Sequence, residues 1–238
     1  LGSTGAAISI SPKPCTLEHR NRAYSQGGLQ RLRCRPPASC RCCKRKWTML
    51  PEPYTRREYV SAFRELAARI AASLKDVAPS ALPIQMYVAG GSALHFHTGE
   101  RVSVDIDATF SRRIALPDRL EVAYRDEDGA ARLLYFDRQY NDTLGLMHED
   151  AYADSLPLTL TGIDPQVLDV RILTPLDLAV SKLGRFSDQD QADIAALARR
   201  GLIDATSLES RATEAIGGYV GDKTRLRGNI TSAKKSVK

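Results

Sequence analysis

The sequence predicts an α+β fold, in which a region of mixed helices and short strands is followed by a region that is entirely helical. From Thr55 to about residue 173, segments with helical periodicity alternate with short apolar or alternating runs that are typical of strands. From Pro175 onward, apolar residues recur every three or four positions, and Gly201 and Gly217 mark helix ends. The chain of 238 residues is long enough to bury one sizeable core or two small ones.

The first predicted helix starts at a capping residue, Thr55, and carries apolar side chains at helical spacing from Val60 to Leu74. The predicted strands are residues 84–89, 103–110, 119–124 and 132–136, with weaker candidates at 156–160 and 167–172. The other predicted helices are residues 92–97, 176–184, 188–200 and 205–216. Thr174 is suited to cap the second of these, because Pro175 follows it at the first helical position. After Gly221 we find no apolar stripe, which predicts a frayed tail.

Charge is distributed unevenly along the chain, whose formal net charge is +6. Residues 1–48 contain ten Lys or Arg and one acid, residues 222–238 contain six and one, and residues 49–221 have a net charge of −8. The predicted organisation is therefore a basic leader (1–48), a core of mixed strands and helices (49–173), a helical lobe (174–221) and a basic flexible tail (222–238). Basic ends attract RNA electrostatically. No run of eighteen apolar residues exists, so no membrane span is predicted.

All five cysteines lie in the leader, so the rest of the chain has no disulfide framework and a reducing cytoplasm is the predicted location. The stretch 34–46 can be interpreted as a metal knuckle or as a basic nucleic-acid arm, but it lacks two separated Cys-x-x-Cys pairs. We favour disorder for the leader, which also has no apolar signal-peptide segment. The abrupt change in composition at Met49 motivates the hypothesis that the native protein starts there.

A turn and a pair of aspartates carry the clearest chemical signal. Gly90-Gly91-Ser92 follows a predicted buried strand, and Asp105 and Asp107 flank Ile106 thirteen and fifteen residues beyond the serine. Alternate strand residues share a face, so the two carboxylates converge, and convergent carboxylates suit Mg²⁺ with substrate phosphates. The glycines allow close approach to a triphosphate, and Ser92 would bind a phosphate or cap the next helix. The pattern favours phosphoryl or nucleotidyl transfer.

A second group of charged residues lies on the carboxy-terminal helices. Lys182 and Arg185 are three residues apart and share a helix face, where they would meet a triphosphate or an RNA backbone, or form a solvated edge. Asp190 and Asp193 fall in the apolar stripe that should face the core. Buried carboxylates need partners, so we expect ion pairs with Lys182 or Arg185. Such pairs are compatible with a structural salt bridge and equally with a functional site.

Four other polar residues are weaker candidates. His95 and His97 lie beside the glycine turn, and we interpret them as packing or substrate-edge residues, not as metal ligands. His148 has no visible partner. Asp169 is either a third acid near the metal or a surface residue, and strand alternation leads us to prefer the surface.

These motifs resemble a known family. Residues 88–94 (Val-Ala-Gly-Gly-Ser-Ala-Leu) and 104–108 (Val-Asp-Ile-Asp-Ala) look like the signature of minimal nucleotidyltransferases of the polymerase-beta superfamily. Residues 177–183, Arg185 and 190–194 look like the later motifs of one branch, the abortive-infection type IV toxins and related uncharacterised bacterial nucleotidyltransferases. The likeness covers roughly residues 54–219.

The resemblance implies a mixed sheet flanked by helices and followed by a helical lobe. It implies Mg²⁺, or Mn²⁺ in its place, held by Asp105 and Asp107, with the triphosphate at Gly91 and Ser92. Some relatives transfer nucleotides from an NTP to the 3′ end of tRNA and are restrained by a cognate antitoxin.

The resemblance also assigns roles on the helices. The lysine that matches Lys182 contacts the phosphates, and an acid that matches Asp190 or Asp193 completes the site. A third strand carboxylate, usual elsewhere in the superfamily, has no clear match in this sequence, so the general base is left open.

Two alternatives belong to other functional classes. The chain could be a non-catalytic nucleotide-binding or antitoxin-type module with this fold, or a structural RNA-binding protein whose aspartates only brace the sheet. The retained pair, Asp105 and Asp107, argues against both, because a degenerate site would be expected to lose one carboxylate.

Overall fold

The structure, a computed structural model, describes residues 55–140 and 145–237, which belong to one compact unit. The predictions for residues 1–48, namely disorder, a metal knuckle and a native start at Met49, lie outside the described residues. The α+β fold is confirmed, with two mixed sheets flanked by helices and further helices at the carboxy-terminal end. None of the described helices is both long enough and apolar enough to cross a membrane.

The described part of the chain contains short strands and helices in the predicted order. The strands are β1 (Ile84–Val88), β2 (Asp105–Ile106), β3 (Ala108–Phe110), β4 (Glu121–Arg125), β5 (Ala131–Phe136), β6 (Leu156–Pro157) and β7 (Leu168–Ile172). The helices are α1 (Arg57–Ser73), α2 (Gly90–Thr98), α3 (Ala151–Asp154), α4 (Pro175–Lys182), α5 (Asp188–Arg199), α6 (Ala205–Ile216) and α7 (Lys223–Ser236), with a 3₁₀ turn at Pro79–Ala81.

The predicted strand 103–110 is divided at Asp107 and contributes to two different sheets. Its first part, β2, pairs in parallel with β5 in a sheet of order β2-β5-β4. Its second part, β3, pairs antiparallel with β1 in a sheet of order β3-β1-β7-β6. Ile106 and Ala108 are both buried, so the alternation of faces continues through the break. Asp107 therefore lies at the seam between the two sheets.

Helix α1 covers the sheets with its apolar face and contacts β4, β5 and β7. Its inward side chains Tyr59, Phe63, Leu66 and Ile70 recur at helical spacing and are fully buried. The capping prediction at Thr55 is wrong by one residue, because Arg56 occupies the N-cap without a side-chain cap bond.

The carboxy-terminal helices pack against α2, which contacts both α4 and α5. As predicted, Thr174 caps α4 by accepting a hydrogen bond from the backbone N–H of Asp177. Ser187 and Asp190 form a capping box at the start of α5. These caps fix where α4 and α5 begin, and so help to place the charged side chains of both helices next to the amino end of α2.

The prediction of a frayed tail is wrong for α7. Leu226, Ile230 and Ala233 lie at helical spacing and are buried, and they pack where α7 meets α5 and α6. The Asp222 carboxylate caps the helix. Asn229 donates a 2.9 Å hydrogen bond to the carbonyl of Leu183, the residue after α4. The stripe escaped the sequence pattern because it is one residue wide and lies among basic side chains.

We expect Leu226→Ala to lower the free energy of unfolding by about 2–4 kcal/mol, because it leaves a cavity at a fully buried position. Urea denaturation followed by circular dichroism measures the change. The neighbouring exposed Arg227→Ala is the matched control and should change stability by no more than about 0.5 kcal/mol. Equal stabilities of the two variants would contradict the docking of α7.

Candidate active site

Asp105 and Asp107 share one face at the seam between the sheets, as the alternation predicts. Ile106 between them is 0 % exposed, whereas both aspartates are partly exposed. The backbone N–H of Ala89 donates a 2.8 Å hydrogen bond to the carbonyl of Asp107. This bond fixes the second aspartate against the end of β1, where the glycine turn begins.

Gly90 is required by the position of the Asp107 carboxylate. Its φ of +56° is in the left-handed region, and a Cβ at this position would lie 1.7 Å from Asp107 Oδ2. A Cβ on Gly91 would lie 2.7 Å from Ser103 Oγ. The sequence suggested that both glycines make room for a triphosphate. In the structure they first make room for side chains of the protein itself.

The side chain of Ser92 is fully buried and acts within the protein. Its Oγ donates a 2.9 Å hydrogen bond to the carbonyl of Asp105 and lies 2.7 Å from the Tyr59 hydroxyl. It does not cap α2, whose amino end at Ala89 has no side-chain cap bond. The predicted phosphate contact of Ser92 therefore has to come from its backbone amide, since the hydroxyl already has two protein partners.

Asp137 is a third carboxylate in this region that the sequence interpretation missed. It follows β5 directly, and its backbone N–H donates a 3.1 Å hydrogen bond to the carbonyl of Ile106. Extending the parallel register of β2 and β5 by one residue places Asp137 beside Asp107. The carboxyl ends of neighbouring parallel strands meet at one sheet edge, so the position of Asp137 directly after a predicted strand was an available signal.

Burial and the neighbouring carboxylates change the protonation of Asp107. Burial, followed by the negative charges of Asp105 and Asp137, raises the pKa of Asp107 to about 6. The positive charges of Lys182 and Arg185 act in the opposite direction. The site therefore combines an acidic side on the sheets with a basic side on the helices.

The donor set of the acidic side fits a divalent cation that also binds substrate. Among residues 55–140 and 145–237, no three His, Cys, Asp or Glu side chains form a ready-made metal cage. Mg²⁺ does not need one, because it is commonly held by one or two carboxylates, waters and substrate phosphates. Asp105 and Asp107 offer such a pair, and the Ser103 hydroxyl orients Asp105 by a hydrogen bond to Oδ1.

The predicted ion pairs of the helical lobe are confirmed. Lys182 is 7 % exposed, and its Nζ lies 2.6 Å from Asp193 Oδ2 and 3.8 Å from Asp190 Oδ1. Arg185 holds Asp190 through two hydrogen bonds of 2.8 and 2.9 Å. Both carboxylates are nearly inaccessible to solvent. Their role in catalysis stays a prediction, and their observed role is to fix the two cations.

Asp190 is held in its charged form. Burial alone would raise its pKa, but hydrogen bonds from Arg185 and from the side chain and backbone of Ser187 outweigh burial, and the pKa falls to about 2. A permanently charged Asp190 keeps Arg185 in place, although the Arg185 side chain is 76 % exposed.

Arg101 is the second functional candidate that the sequence did not indicate. From the loop between α2 and β2 it donates hydrogen bonds of 2.9 and 2.8 Å to the two oxygens of Asp193. One of its guanidinium nitrogens lies 3.0 Å from where a Cβ of Gly91 would be. Asp193 also accepts a hydrogen bond from Gln189. Arg101 thus connects the glycine turn to α5, and no local pattern marks a contact across 92 positions.

The two histidines of α2 are packing residues, in agreement with one of the predicted interpretations. His95 accepts a 3.1 Å hydrogen bond from the backbone N–H of Arg56 and bonds the carbonyl of Arg101. His97 bonds the carbonyl of Leu173 at 2.8 Å. Burial lowers the pKa of both rings, to about 4 for His97, so the His97 ring is neutral near pH 7.

His148 and Asp169 lie outside the acidic cluster that is formed by Asp105, Asp107 and Asp137. The prediction that His148 has no partner is wrong, because its Nε2 lies 3.2 Å from Glu214 Oε2. Asp169 faces away from the core at the amino end of β7 and pairs with Arg171 at 3.1 Å. This position supports the preferred surface interpretation of Asp169, because the aspartate pair lies beyond the opposite end of β1.

The turn, the paired carboxylates and the facing cations are the arrangement expected of a nucleotidyltransferase. The family model described as a nucleotidyltransferase of unknown function (DUF6036) matches residues 65–229. The match covers more than half of the chain and contains the glycine turn, the acidic residues of the sheets and the charged residues of α4 and α5, so the protein belongs to this family. Neither a curated protein nor a solved structure gives a significant match.

We expect Gly90→Ala to destabilise the protein more than Gly129→Ala does. Both residues have positive φ, at +56° and +79°, but a Cβ on Gly129 meets nothing within 4 Å. The control substitution should cost about 1 kcal/mol of backbone strain, and Gly90→Ala should add the clash with Asp107. Thermal and urea unfolding of the two variants measure the difference. Equal losses would show that the Asp107 contact is unimportant.

We expect Asp107→Asn to stabilise the metal-free protein increasingly as the pH rises from about 4 to about 6. In that window the folded protein keeps Asp107 protonated, while the unfolded chain, with an ordinary pKa of 3.8, does not. The Asp107 contribution to wild-type stability therefore decreases with rising pH, and the asparagine removes this decrease. Urea unfolding of both proteins in EDTA across this pH range measures the difference in their free energies of unfolding. A difference that does not change with pH would contradict the raised pKa of Asp107.

Proposed function

We propose that the protein is a metal-dependent nucleotidyltransferase that moves a nucleoside monophosphate from an NTP to an acceptor hydroxyl. The observation that carries this proposal is the convergence of Asp105, Asp107 and Asp137 at one sheet edge, within electrostatic reach of Lys182 and Arg185. A carboxylate whose pKa is raised by burial and by neighbouring acids, opposed by fixed cations, suits a substrate that brings both phosphate and a divalent cation.

In this proposal Asp105 and Asp107 hold Mg²⁺, or Mn²⁺ in its place. The cation would neutralise charge on the triphosphate. The uncapped amino end of α2, at Gly90 and Gly91, presents backbone N–H groups to the phosphates. Lys182 supplies a positive charge that stabilises the leaving pyrophosphate. Arg185, which is more exposed, adds a second positive charge closer to the solvent.

The reaction is an in-line displacement at the α-phosphorus. A bond forms between the acceptor oxygen and phosphorus, the bond from phosphorus to the bridging oxygen breaks, and pyrophosphate leaves. Asp137, which lies beside Asp107, accepts the proton of the acceptor hydroxyl. Asp190, Asp193 and Arg101 act as positioning residues, because they contact Lys182 and Arg185 or the glycine turn.

The proposal extends to an RNA acceptor, with tRNA as the specific candidate, and to the role of a bacterial cytoplasmic toxin restrained by a cognate antitoxin. The likeness of the helix motifs around Lys182 and Asp190 to the abortive-infection branch supports this extension. A second support is α7, which presents exposed basic side chains, including Arg227 and Lys235, that suit a phosphate backbone.

We expect Asp105→Ala and Asp107→Ala to abolish label transfer from each α-labelled triphosphate to total RNA in Mg²⁺. Asp137→Asn should lower the rate on the order of 10²–10⁴-fold without weakening triphosphate binding, since it removes only a proton acceptor. Asp169→Ala removes a carboxylate of β7, which lies in the sheet β3-β1-β7-β6 and outside the cluster. This variant is the control and should keep full activity.

Three results separate the alternatives. Transfer by wild type that persists in Asp105→Ala would overturn the proposed site. Triphosphate binding without transfer to RNA, protein or small acceptors would indicate a non-catalytic binding module. RNA binding that needs neither a triphosphate nor the aspartates would indicate a structural RNA-binding protein.

A further inference from the structure

The outer face of the sheet β2-β5-β4 exposes two large apolar side chains next to the acidic cluster. Leu133 is 47 % exposed and Tyr135 is 39 % exposed, whereas Leu134 and Phe136 between and after them are buried in the core. The two side chains are neighbours on one face of β5 and form a small contiguous apolar patch, unlike single apolar residues scattered over a surface.

The register places this pair directly beside the proposed metal ligands. Tyr135 is the Cα partner of Asp105 in the parallel pairing of β2 and β5. Paired residues on adjacent strands point to the same face, and the strands lie about 4.8 Å apart. Leu133, Tyr135 and Asp137 follow each other at alternate positions of one strand, so their side chains form a row that ends at the third carboxylate.

Leu133 and Tyr135 lie on one side of Asp105 and Asp107, and the glycine turn lies on the other side. On one side, β3 joins β1, and β1 leads into the turn at Gly90. On the other side, β2 joins β5, which carries Tyr135 and leads into Asp137. In an in-line displacement the leaving pyrophosphate and the attacking acceptor oxygen lie on opposite sides of the reacting phosphorus. With pyrophosphate at the glycine turn, Tyr135 lies on the acceptor side.

The shape of the surface suits one planar ring. Ala123 lies opposite Leu133 across the antiparallel pair and leaves the face flat, and Glu121 lies opposite Tyr135 at its border. Two apolar side chains offer an area too small for a stable protein interface. Stacking of a nucleobase on an aromatic ring needs no larger area and tolerates any base.

We propose that Tyr135 and Leu133 form a stacking platform for the nucleobase of the acceptor's terminal nucleotide, which presents its hydroxyl to Asp137. This inference rests on the proposed function and narrows the acceptor to a single-stranded nucleic acid end. It assigns to β5 both the orientation of the acceptor, through Tyr135, and the removal of its proton, through Asp137.

The test uses the full chain and short single-stranded RNA oligonucleotides with a 5′ fluorescent label and each of the four 3′ bases. A matched oligonucleotide has an abasic 3′ ribose, which keeps the hydroxyl and removes the base. Fluorescence anisotropy with Mg²⁺ and a non-hydrolysable triphosphate measures binding. Tyr135→Ala and Leu133→Ala are compared with Tyr135→Phe, which keeps the ring. Leu202→Ala is the control, because Leu202 is 41 % exposed on the loop after α5.

We expect Tyr135→Ala to weaken binding of the intact oligonucleotides by about 5- to 150-fold, the range that base stacking provides. Leu133→Ala should weaken binding less, and Tyr135→Phe and Leu202→Ala should bind like wild type. The abasic oligonucleotide should bind wild type weakly and should be insensitive to Tyr135→Ala. Thermal unfolding verifies that each variant is folded.

Several results would overturn the platform. The first is that folded Tyr135→Ala and Leu133→Ala bind the intact oligonucleotides as tightly as wild type does. The second is that Tyr135→Ala weakens binding of the abasic oligonucleotide as much as it weakens binding of the intact ones. Weaker triphosphate binding with unchanged oligonucleotide binding would assign the ring to the donor base. Label transfer to a protein acceptor, with no oligonucleotide bound, would place a polypeptide there. If wild type transfers no label but its oligonucleotide binding depends on Tyr135, the platform stands and the proposed catalysis fails.

Discussion

The buried carboxylate of Asp193 is the interaction on which the arrangement of the site depends. It is 1 % exposed and accepts hydrogen bonds from Arg101, Lys182 and Gln189, which come from a loop and two helices. A buried carboxylate left with one cation too few costs about 3–5 kcal/mol, so these partners are strongly constrained to remain together. The same carboxylate thereby joins the sheet region to the helical lobe and holds the Lys182 ammonium within reach of Asp107.

Opposite electrostatic environments face each other across the site. On the sheet side, burial and the neighbouring acids raise the pKa of Asp107 to about 6. On the helix side, hydrogen bonds from Arg185 and Ser187 keep the pKa of Asp190 at about 2. The sheet therefore has excess negative charge that a cation can neutralise, while each carboxylate of the helices already has its own counter-charge. This asymmetry explains why a divalent ion is expected on the sheet side.

How much could be predicted depended on the range of the interactions involved. The turn at Gly90 and the pair Asp105 and Asp107 could be predicted from the sequence, because strand alternation and turn chemistry act over a few residues. Asp137 could also have been predicted, since it directly follows a strand that the sequence indicates. Arg101 was not, because its partner lies 92 positions away and only packing brings the two together.

The remaining misses have equally local causes. The exposure of Tyr135 was hidden, because residues 133–136 are all apolar and give no sign of which face is covered. Helix α7 was missed because three buried residues carry its docking among basic neighbours. The division of the strand at Asp107 depends on the two sheets that its halves join, and a sequence pattern contains no information on that choice.

The buried ring of His97 has a consequence for proton exchange during folding. Burial lowers the pKa of His97 from 6.5 to about 4, and it raises the pKa of Asp107 from 3.8 to about 6. Between these values the unfolded chain carries a protonated imidazole and an ionised carboxylate, and the folded chain carries neither charge. For these two groups, folding in effect moves a proton from the histidine to the aspartate, and their contributions to the pH dependence of stability have opposite signs.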